Sequence, residues 1–411
     1  MANGEILIEG RCYPNLDFSI RVPFGTKRLN LSNKMLMDLD FDAIGSLRSL
    51  EELDLSGNYF HDVNVDLRKV EACPLRSIKL YGDITLASAE PCVYNLTLGK
   101  FPALEFLELR DNALTRLDLA PLAWSEKLRT LDISWNHLVD LETSPLGNCS
   151  DLQKLNLETN QLREVSGEVC QLHNLEVLKL SYNKLAFLPE HLGSLENLKR
   201  LELSSNPLDK IPDSFSSLEK LEALKIASIP LCSIPKTLPN LAWLLVLDAR
   251  SLVCEKSNQP VLTKIIDALY NVAYVDIGMN KLKEVPGRLC ECTDLKYLDL
   301  GFNEIEFLPG WFDALPQLEV LGLDNYKGRA FPDVVLGLQH LKHITMTGVT
   351  CPFPEALLEL PCLERMAVSR ERMADPTIKR LIDKGISVYG SFLGHDRFRQ
   401  SYGALPELDN L

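Results

Sequence analysis

Apolar residues return along the chain in a frame that starts fourteen times between Leu50 and Leu363. The first clear copy places leucines at 50, 53 and 55, an asparagine at 58 and Phe60. Successive copies start 22 to 29 residues apart. A period of this length is typical of solenoids, in which similar units stack along one axis. The other copies begin at Leu75, Leu104, Leu128, Leu152, Leu175, Leu198, Leu221, Leu244, Val272, Leu295, Leu318, Leu341 and Leu363.

Each position in the frame has a physical reason. The L-x-L core alternates, which predicts a short strand with one buried face, and neighbouring strands then stack into a parallel sheet. The asparagine follows the strand, where its amide can pair with buried backbone groups of the turn. It is replaced at Ile229, Leu252, Tyr326 and Val349, which predicts a locally distorted loop, or else a hinge or second docking point. The asparagines are Asn58, Asn112, Asn136, Asn160, Asn183, Asn206, Asn280 and Asn303.

A second signature lies in the return segments, where an apolar residue precedes proline in phase with the frame. Proline lacks an N–H and therefore suits a segment outside the sheet. The full pattern resembles the leucine-rich-repeat superfamily over residues 26–372, and the later repeats resemble its intracellular Ras-suppressor and Scribble-like subtype. That resemblance implies an α/β solenoid, a horseshoe with a concave parallel sheet and an irregular or short-helical convex side. The dipeptides are Leu188-Pro189, Ile211-Pro212, Ile234-Pro235, Val285-Pro286, Leu308-Pro309, Phe331-Pro332 and Phe353-Pro354.

The pattern divides the chain into a solenoid of about fifteen repeats, residues 26–372, and two ends. Residues 1–25 alternate loosely and predict an N-terminal cap formed by a β-hairpin, with strands near 5–10 and 16–22. Residues 373–411 predict a C-terminal cap followed by a polar tail, with a helix over 376–384 and a strand at 386–388. A solenoid needs such caps because its terminal repeats otherwise expose apolar core. Helical spacing over 261–269 predicts a helix on the convex side.

Charge narrows the choice of partner. The formal net charge is −14, which argues against nucleic acid and against an anionic membrane surface, since both bind dense Lys and Arg. The first residues carry no basic, apolar leader, and the longest apolar run, 241–247, is too short to span a bilayer. Eleven cysteines without a secretion signal predict reduced thiols. These features together predict a cytoplasmic protein.

The sequence offers little for catalysis or metal binding. Cys290 and Cys292 are too close for the usual zinc spacing. Cys292-Thr293-Asp294 resembles a motif of bacterial leucine-rich-repeat ubiquitin ligases, but it lies inside a repeat and no separate catalytic domain is left. His340 and His343 would face opposite sides of a strand. We therefore expect no enzyme activity, no catalytic residues, no metal and no cofactor.

The strand positions between the leucines should face the concave side. Between the second and third leucine, seven of fourteen residues are acidic and three are basic, so this column is net negative. Large aromatic residues also fall at outward positions, and exposed aromatics beside charges are typical anchors of protein interfaces. The expected partner-binding residues are Phe106, Glu108, Asp132, Trp135, Tyr182, Glu202, Asp276, Tyr297, Asp299 and Phe302.

These patterns predict a non-catalytic recognition module, a monomeric scaffold or adaptor in signalling that binds a protein with a basic surface through its concave face. Two alternatives stay open: a secreted bacterial effector acting on host proteins, and a regulatory subunit of a signalling enzyme such as a phosphatase. A further electrostatic contact around Arg365, Arg370 and Arg372 is the alternative to a solvated cap at the C-terminal end.

Overall fold

The computed structural model describes residues 5–7, 22–82, 93–234, 244–252 and 259–391. The chain divides into two compact units, which we call the N-terminal unit (residues 1–221 and 234–239) and the C-terminal unit (222–233 and 240–411). Each unit is built on a parallel sheet to which successive repeats contribute one short strand. In most of the described repeats, the opposite side is formed by 3₁₀ turns and irregular chain. The predicted α/β solenoid is confirmed.

The sheet of the N-terminal unit adds strands in the order of the sequence. Every pairing is parallel, and strands from adjacent repeats align without shift. The strands are Glu5–Leu7 (β1), Arg28–Asn30 (β2), Glu52–Asp54 (β3), Ser77–Lys79 (β5), Phe106–Glu108 (β7), Thr130–Asp132 (β8), Lys154–Asn156 (β9), Val177–Lys179 (β10) and Arg200–Glu202 (β11). Two further strands, Phe60–Asp66 (β4) and Val93–Thr97 (β6), pair with each other in a small parallel sheet.

The sheet of the C-terminal unit follows the same rule, again with parallel pairing throughout. Its strands are Ala223–Lys225 (β12), Val246–Asp248 (β13), Tyr274–Asp276 (β14), Tyr297–Asp299 (β15), Val320–Gly322 (β16), His343–Met346 (β17), Arg365–Ser369 (β18) and Ser387–Ser391 (β19). In both units the central residue of a three-residue strand, such as Leu131 or Leu298, is fully buried. The first and third residues point to the other face, which we call the inner face.

The return segments hold the prolines of the second signature. Pro212 directly precedes a 3₁₀ turn, and its carbonyl accepts a hydrogen bond from Phe215 N at 3.0 Å. Pro286, Pro309 and Pro332 stand at the same place. Proline fits here because the first residues of such a turn donate no bond within it. The 3₁₀ turns are Leu67–Val70, Ala120–Trp124, Ser144–Asn148, Gly167–Gln171, Leu192–Ser194, Asp213–Ser217, Gly287–Glu291, Gly310–Ala314, Asp333–Gly337, Glu355–Glu359 and Arg370–Ala374.

The asparagines form a buried ladder, as the sequence predicted. Asn136 is typical: its Nδ2 donates to Leu109 O at 3.0 Å and Ile133 O at 3.1 Å, while its Oδ1 accepts from Leu114 N at 3.1 Å. One side chain therefore pairs backbone groups of its own repeat and of the preceding one. At the positions where asparagine is replaced, the apolar side chain is buried instead, as for Ile229.

Three α-helices occur in the described residues: Phe41–Gly45 (α1), Gln259–Asp267 (α2) and Pro376–Asp383 (α3). Helix α2 covers most of the stretch in which the spacing predicted a helix. Helix α3 begins at proline, and the Asp375 carboxylate accepts from Thr377 N at 2.9 Å, so its start has a side-chain cap. Strand β19 then pairs with β18 at the end of the sheet.

At the N-terminal end, β1 pairs in parallel with β2 and extends the same sheet. The second strand of the predicted hairpin, near 16–22, lies almost wholly outside the described residues. Arg372, one of the candidates for an electrostatic contact, stacks on the Phe353 ring at 4.6 Å and pairs with Asp375 at 3.1 Å. These contacts give Arg372 a structural role at the last repeats.

Candidate functional site

The inner face of the N-terminal unit carries charge in a regular column. The third residues of successive strands are direct neighbours in the sheet register, so Lys79, Glu108 and Asp132 lie side by side. Lys79 Nζ lies 3.9 Å from Glu108 Oε1. Asp132 is held in place, because its Oδ1 accepts from Ser134 N at 2.9 Å and its Oδ2 from Asn156 Nδ2 at 3.1 Å. Both acidic residues remain half-exposed, as a recognition surface requires.

Three of the exposed aromatic side chains in the same unit are residues that the sequence predicted to bind a partner. Phe106 opens strand β7 and is 40% exposed; Trp135 and Tyr182 are 58% and 56% exposed. Trp135 and Tyr182 each stand directly before a ladder asparagine, in the left-handed region at φ 56° and 57°. This conformation costs a residue with a side chain about 1–2 kcal/mol. Ser205 has the same φ in its repeat, so a bulky ring is not required by the turn.

The acidic column becomes buried in the C-terminal unit. Asp276 is 1% and Asp299 is 3% exposed, and Asp248 is buried beside them in the sheet register. Arg250 Nε lies 2.8 Å from Asp248 Oδ1 and 3.4 Å from Asp276 Oδ2. Burial, followed by the charges of Asp299 and Asp248, raises the pKa of Asp276 well above its usual range. Asp248, Asp276 and Asp299 thus form a row of buried carboxylates. The sequence had predicted that these charges face solvent.

The remaining predicted residues are also less exposed than the concave-face interpretation requires. Glu202 is buried, with Lys179 Nζ 4.0 Å from its Oε1. Tyr297 is half-buried and stacks on Tyr274, with ring centroids 4.0 Å apart and planes inclined by 10°. Burial is the largest cause of the raised pKa of both tyrosines. Phe302 is half-buried before its ladder asparagine.

The structure adds inner-face residues that the sequence did not single out. Arg250 and Asp324 follow their strands by two residues, and Asp324 Oδ1 accepts from both Thr347 N and Thr347 Oγ1 at 2.7 Å. At Gly322, a Cβ atom would lie 2.4 Å from Asp299 Oδ1, so the carboxylate occupies space that only glycine leaves. The signal available in the sequence was the repeated Asp-x-Gly at 276–278 and 299–301.

Five of the described cysteines, at 73, 149, 170, 292 and 351, are buried, whereas Cys290 is exposed. Cys149, Cys170 and Cys292 are buried free thiols, and burial raises the pKa of Cys149 to about 12 and the pKa of Cys170 and Cys292 to about 11. Such thiols are poor nucleophiles at neutral pH. Cys254, also predicted to fill an apolar slot, lies outside the described residues. Within the described ranges, no group of three His, Cys, Asp or Glu residues is arranged to hold a metal ion.

Comparisons with known proteins agree with the repeat geometry. Residues 115–286 match the family described as a leucine-rich repeat region, and residues 270–327 match a leucine rich repeat family. Leucine-rich repeat-containing protein 66 of Homo sapiens is 28% identical over 140 residues, which are 34% of this chain and 14% of that protein. This chain thus matches only a small part of that relative's length.

Solved structures show the same fold. A leucine-rich-repeat protein of Leptospira interrogans has a TM-score of 0.70 at 24% identity, covering 93% of this chain and 100% of that one. An internalin of Listeria monocytogenes has a TM-score of 0.56 at 20% identity, covering 83% and 86% of the two chains. The protein is therefore a leucine-rich-repeat solenoid, a fold that supports a role in protein–protein interaction.

None of its helices in the described ranges is long and apolar enough to cross a membrane.

Proposed function

We propose that this protein is a non-catalytic recognition module, a cytoplasmic scaffold or adaptor that binds a protein partner through its inner face. The observation that supports this most is the exposure of Trp135 and Tyr182 at turn positions where serine suffices elsewhere. Rigid aromatic side chains supply much buried apolar area on binding at a small cost in conformational entropy. A large ring retained in a strained turn favours a role in binding.

Within this proposal the partner-binding residues have different roles. Phe106, Trp135 and Tyr182 are the anchors, and Glu108 and Asp132 supply negative charge beside them. We infer a partner with a basic surface, because opposite charges accelerate encounter and select the partner. The buried acidic residues do not contact the partner directly, and they contribute only to the electrostatic field of the inner face. These are Glu202, Asp276 and Asp299, with Tyr297 and Phe302 half-buried beside them.

We further propose that the protein acts as a monomer, without enzyme activity and without nucleic-acid or membrane binding. The net charge of −14 supports the last two points. Asp276 has a perturbed pKa of the kind seen in active sites. Its position between Asp248 and Asp299, next to Arg250, favours a structural ion-pair network instead.

The division of the chain is part of the same proposal: a cap at 1–25, repeats over 26–372, and a C-terminal cap and tail at 373–411. The contacts of α3 and β19 with the last repeats support the C-terminal cap. We assign the later repeats to the Ras-suppressor and Scribble-like subtype, on the basis of the prolines that precede their 3₁₀ turns.

To test the proposal, Trp135 and Tyr182 are replaced with serine, the residue found in the same turn conformation at position 205. The variant Trp135→Ser with Tyr182→Ser should fold normally and lose roughly 2 kcal/mol or more of binding free energy, about thirtyfold in affinity. The control, Glu190→Ala with Glu219→Ala, changes exposed residues in the return segments. Quantitative affinity capture from the native cell should recover a partner with wild type and control but not with the anchor variant. Equal recovery by all three proteins would contradict the proposal.

A further inference from the structure

A groove among the return segments of the C-terminal unit is lined mainly by apolar and aromatic residues. It lies between Thr263 of helix α2, the segment 282–287 and the segment 307–311. Its volume is about 400 Å³, within the usual range of ligand sites, ~300–1,000 Å³. Phe307, which lines it, is 63% exposed, and Trp311 is half-buried. Exposed apolar side chains that meet in one groove are typical of a binding surface.

The frame of the return segments does not require these two aromatic residues. Phe307 stands directly before an apolar-proline step, and Trp311 follows the proline of that step by two residues. Several other repeats have smaller or charged residues at these positions, so the turn forms without either ring. They are Lys210, Glu284 and Ala330 at the first position, and Ser214, Arg288 and Val334 at the second.

The groove is open beside Gly287, which directly follows a proline. A Cβ atom at this position would meet no atom within 4 Å, apart from its chain neighbours. Four other described repeats have an acidic residue directly after the proline. The groove therefore lacks both the bulk and the negative charge that this position carries elsewhere, which favours an apolar ligand. The four acidic residues are Glu190, Asp213, Asp333 and Glu355.

Two polar groups in the groove limit the kind of ligand. Within the described part of the chain, the indole N–H of Trp311 has no acceptor and the carboxylate of Glu284 has no ion-pair partner. Glu284 alone is charged among the residues that line the groove. Arg288 stacks on Tyr270 at 4.6 Å and pairs with Glu291, so it does not neutralise Glu284. A complementary ligand therefore accepts a hydrogen bond and carries a positive charge.

We propose that this groove binds a proline-rich peptide segment of a partner protein, in the polyproline II conformation, with a basic residue beside the prolines. Grooves lined by aromatic residues recognise such segments, whose preformed shape loses little conformational entropy on binding. The polyproline II backbone has no internal hydrogen bonds, so one of its carbonyls is free to accept from Trp311 Nε1. The basic residue pairs with Glu284.

Other peptide conformations fit this groove less well. The carbonyls of an α-helix are bonded within the helix, so a helix offers Trp311 no acceptor along its length. An added β-strand needs the edge of another strand. The walls of the groove consist of helix α2, irregular chain and 3₁₀ turns, and the stretches 282–287 and 307–311 contain no strand. A polyproline II segment needs no strand edge and keeps its carbonyls available.

The first test measures binding of a fluorescent peptide of about eight prolines, flanked by arginine, to the full chain by fluorescence anisotropy. Phe307→Ala with Trp311→Ala should weaken binding about thirtyfold or more, because both aromatic walls are lost. The matched control is Phe187→Ala. It removes a similarly exposed ring from the same place in a repeat that has His191 at the second position, and it should leave the affinity unchanged. Equal affinity of wild type and the double variant would overturn the proposal.

Two further variants separate the hydrogen bond from the shape of the groove. Trp311→Phe keeps a ring but removes the N–H, and it should weaken binding about fivefold. Gly287→Gln places an uncharged side chain in the open space and should weaken binding at least about tenfold. Circular dichroism verifies that both variants are folded. Wild-type affinity in both of them would mean that the peptide binds elsewhere.

The last comparison concerns the ligand and the inner face. A peptide with alanine in place of every proline should bind at least about tenfold more weakly, because it is not preformed. Equal binding of the two peptides, or no binding of the proline peptide at about 1 mM, would overturn the proposal. The variant Trp135→Ser with Tyr182→Ser lies in the N-terminal unit and should bind the peptide as wild type does. The inference and the proposed function can therefore fail separately.

Discussion

At the scale of single residues, the stability of this protein depends on leucines with no access to solvent. Leu180 and Leu203 follow strands β10 and β11 by one residue and are 1% and 0% exposed. Each fills space between the sheet and the return segment, where neither water nor another side chain can replace it. In a repeat protein each repeat packs only against its neighbours, so the loss of one such side chain affects the repeat and the two beside it.

Leu180→Ala or Leu203→Ala should lower the free energy of unfolding by about 2–5 kcal/mol, because each leaves a cavity in a packed core. Urea denaturation followed by circular dichroism measures this change. The control is Phe187→Ala, which removes a larger but exposed side chain and should change stability by less than ~0.5 kcal/mol. Leucine variants as stable as the parent would mean that the repeat register is wrong.

A second residue-scale prediction concerns His343, which is buried on the inner face of the C-terminal unit. Burial, with the charges of Arg365 and Lys342, lowers the pKa of His343 to about 4, against an opposing effect of Glu319. Glu364 Oε2 lies 3.8 Å from Nε2, but its side chain is 61% exposed, so solvent screens it. The folded state therefore binds this proton more weakly than the unfolded state does.

The lowered pKa of His343 predicts that the folded state loses stability at acidic pH. The ordinary pKa of His343 is 6.5, so as the pH falls from 6.5 to about 4 the unfolded state takes up a proton that the folded state refuses, and stability is lost. His343→Gln should reduce this loss, seen as a flatter plot of Tm against pH over that window. His340→Gln, at an exposed position, should keep the slope of the parent. An unchanged slope in His343→Gln would contradict the prediction.

At the scale of the repeat, the asparagine ladder couples neighbouring units through their backbones. Asn160 Nδ2 donates to Ile133 O at 3.0 Å and Leu157 O at 3.2 Å, and its Oδ1 accepts from Leu138 N at 3.1 Å. These bonds join two consecutive repeats through one buried amide. Ile229, which is fully buried in place of an asparagine, shows that an apolar side chain can also fill this position.

Asn160→Ala should therefore cost about 1–3 kcal/mol for each buried backbone group left unpaired, a larger effect than its small change in volume suggests. Chemical denaturation measures the cost, and amide hydrogen exchange should show faster exchange of Leu138 N–H in particular. Asn148→Ala is the matched control, since Asn148 is exposed at the end of a 3₁₀ turn. If Asn160→Ala and Asn148→Ala lower the free energy of unfolding equally, the buried asparagine stabilises the protein no more than an exposed one does.

At the scale of the whole molecule, the excess of 57 acidic over 43 basic residues sets a long-range negative field. Such a field accelerates encounter with a basic partner and repels nucleic acid and anionic lipid. Its effect is screened within about 8 Å at physiological salt, so the half-exposed Glu108 and Asp132 contribute more to encounter than distant charges do.

Once a partner is captured, its association rate constant should fall as salt rises from about 0.05 to 0.5 M, while the dissociation rate constant changes little. Stopped-flow mixing measures both. Glu108→Gln should reduce the salt dependence of association, and Glu190→Gln, in a return segment, should leave it unchanged. An association rate that does not respond to salt would remove the inference that the partner is basic.

The amino-acid sequence by itself determined the repeat, the direction of the strands and the position of the asparagine ladder. These features are local: the L-x-L alternation defines a strand within three residues, and Asn136 bonds only within its own repeat and the preceding one. The same frame predicted that Trp135 and Tyr182 occupy outward positions, and both are exposed.

Only the tertiary structure decided which inner-face charges meet solvent. Asp132 and Asp299 occupy the same place in the frame, yet one is half-exposed and the other is 3% exposed. Beside Asp299, in the next repeat, the missing side chain of Gly322 leaves room for the carboxylate. Accessibility is a property of everything packed around a group, and a periodic pattern assigns a residue to a face without stating what covers that face.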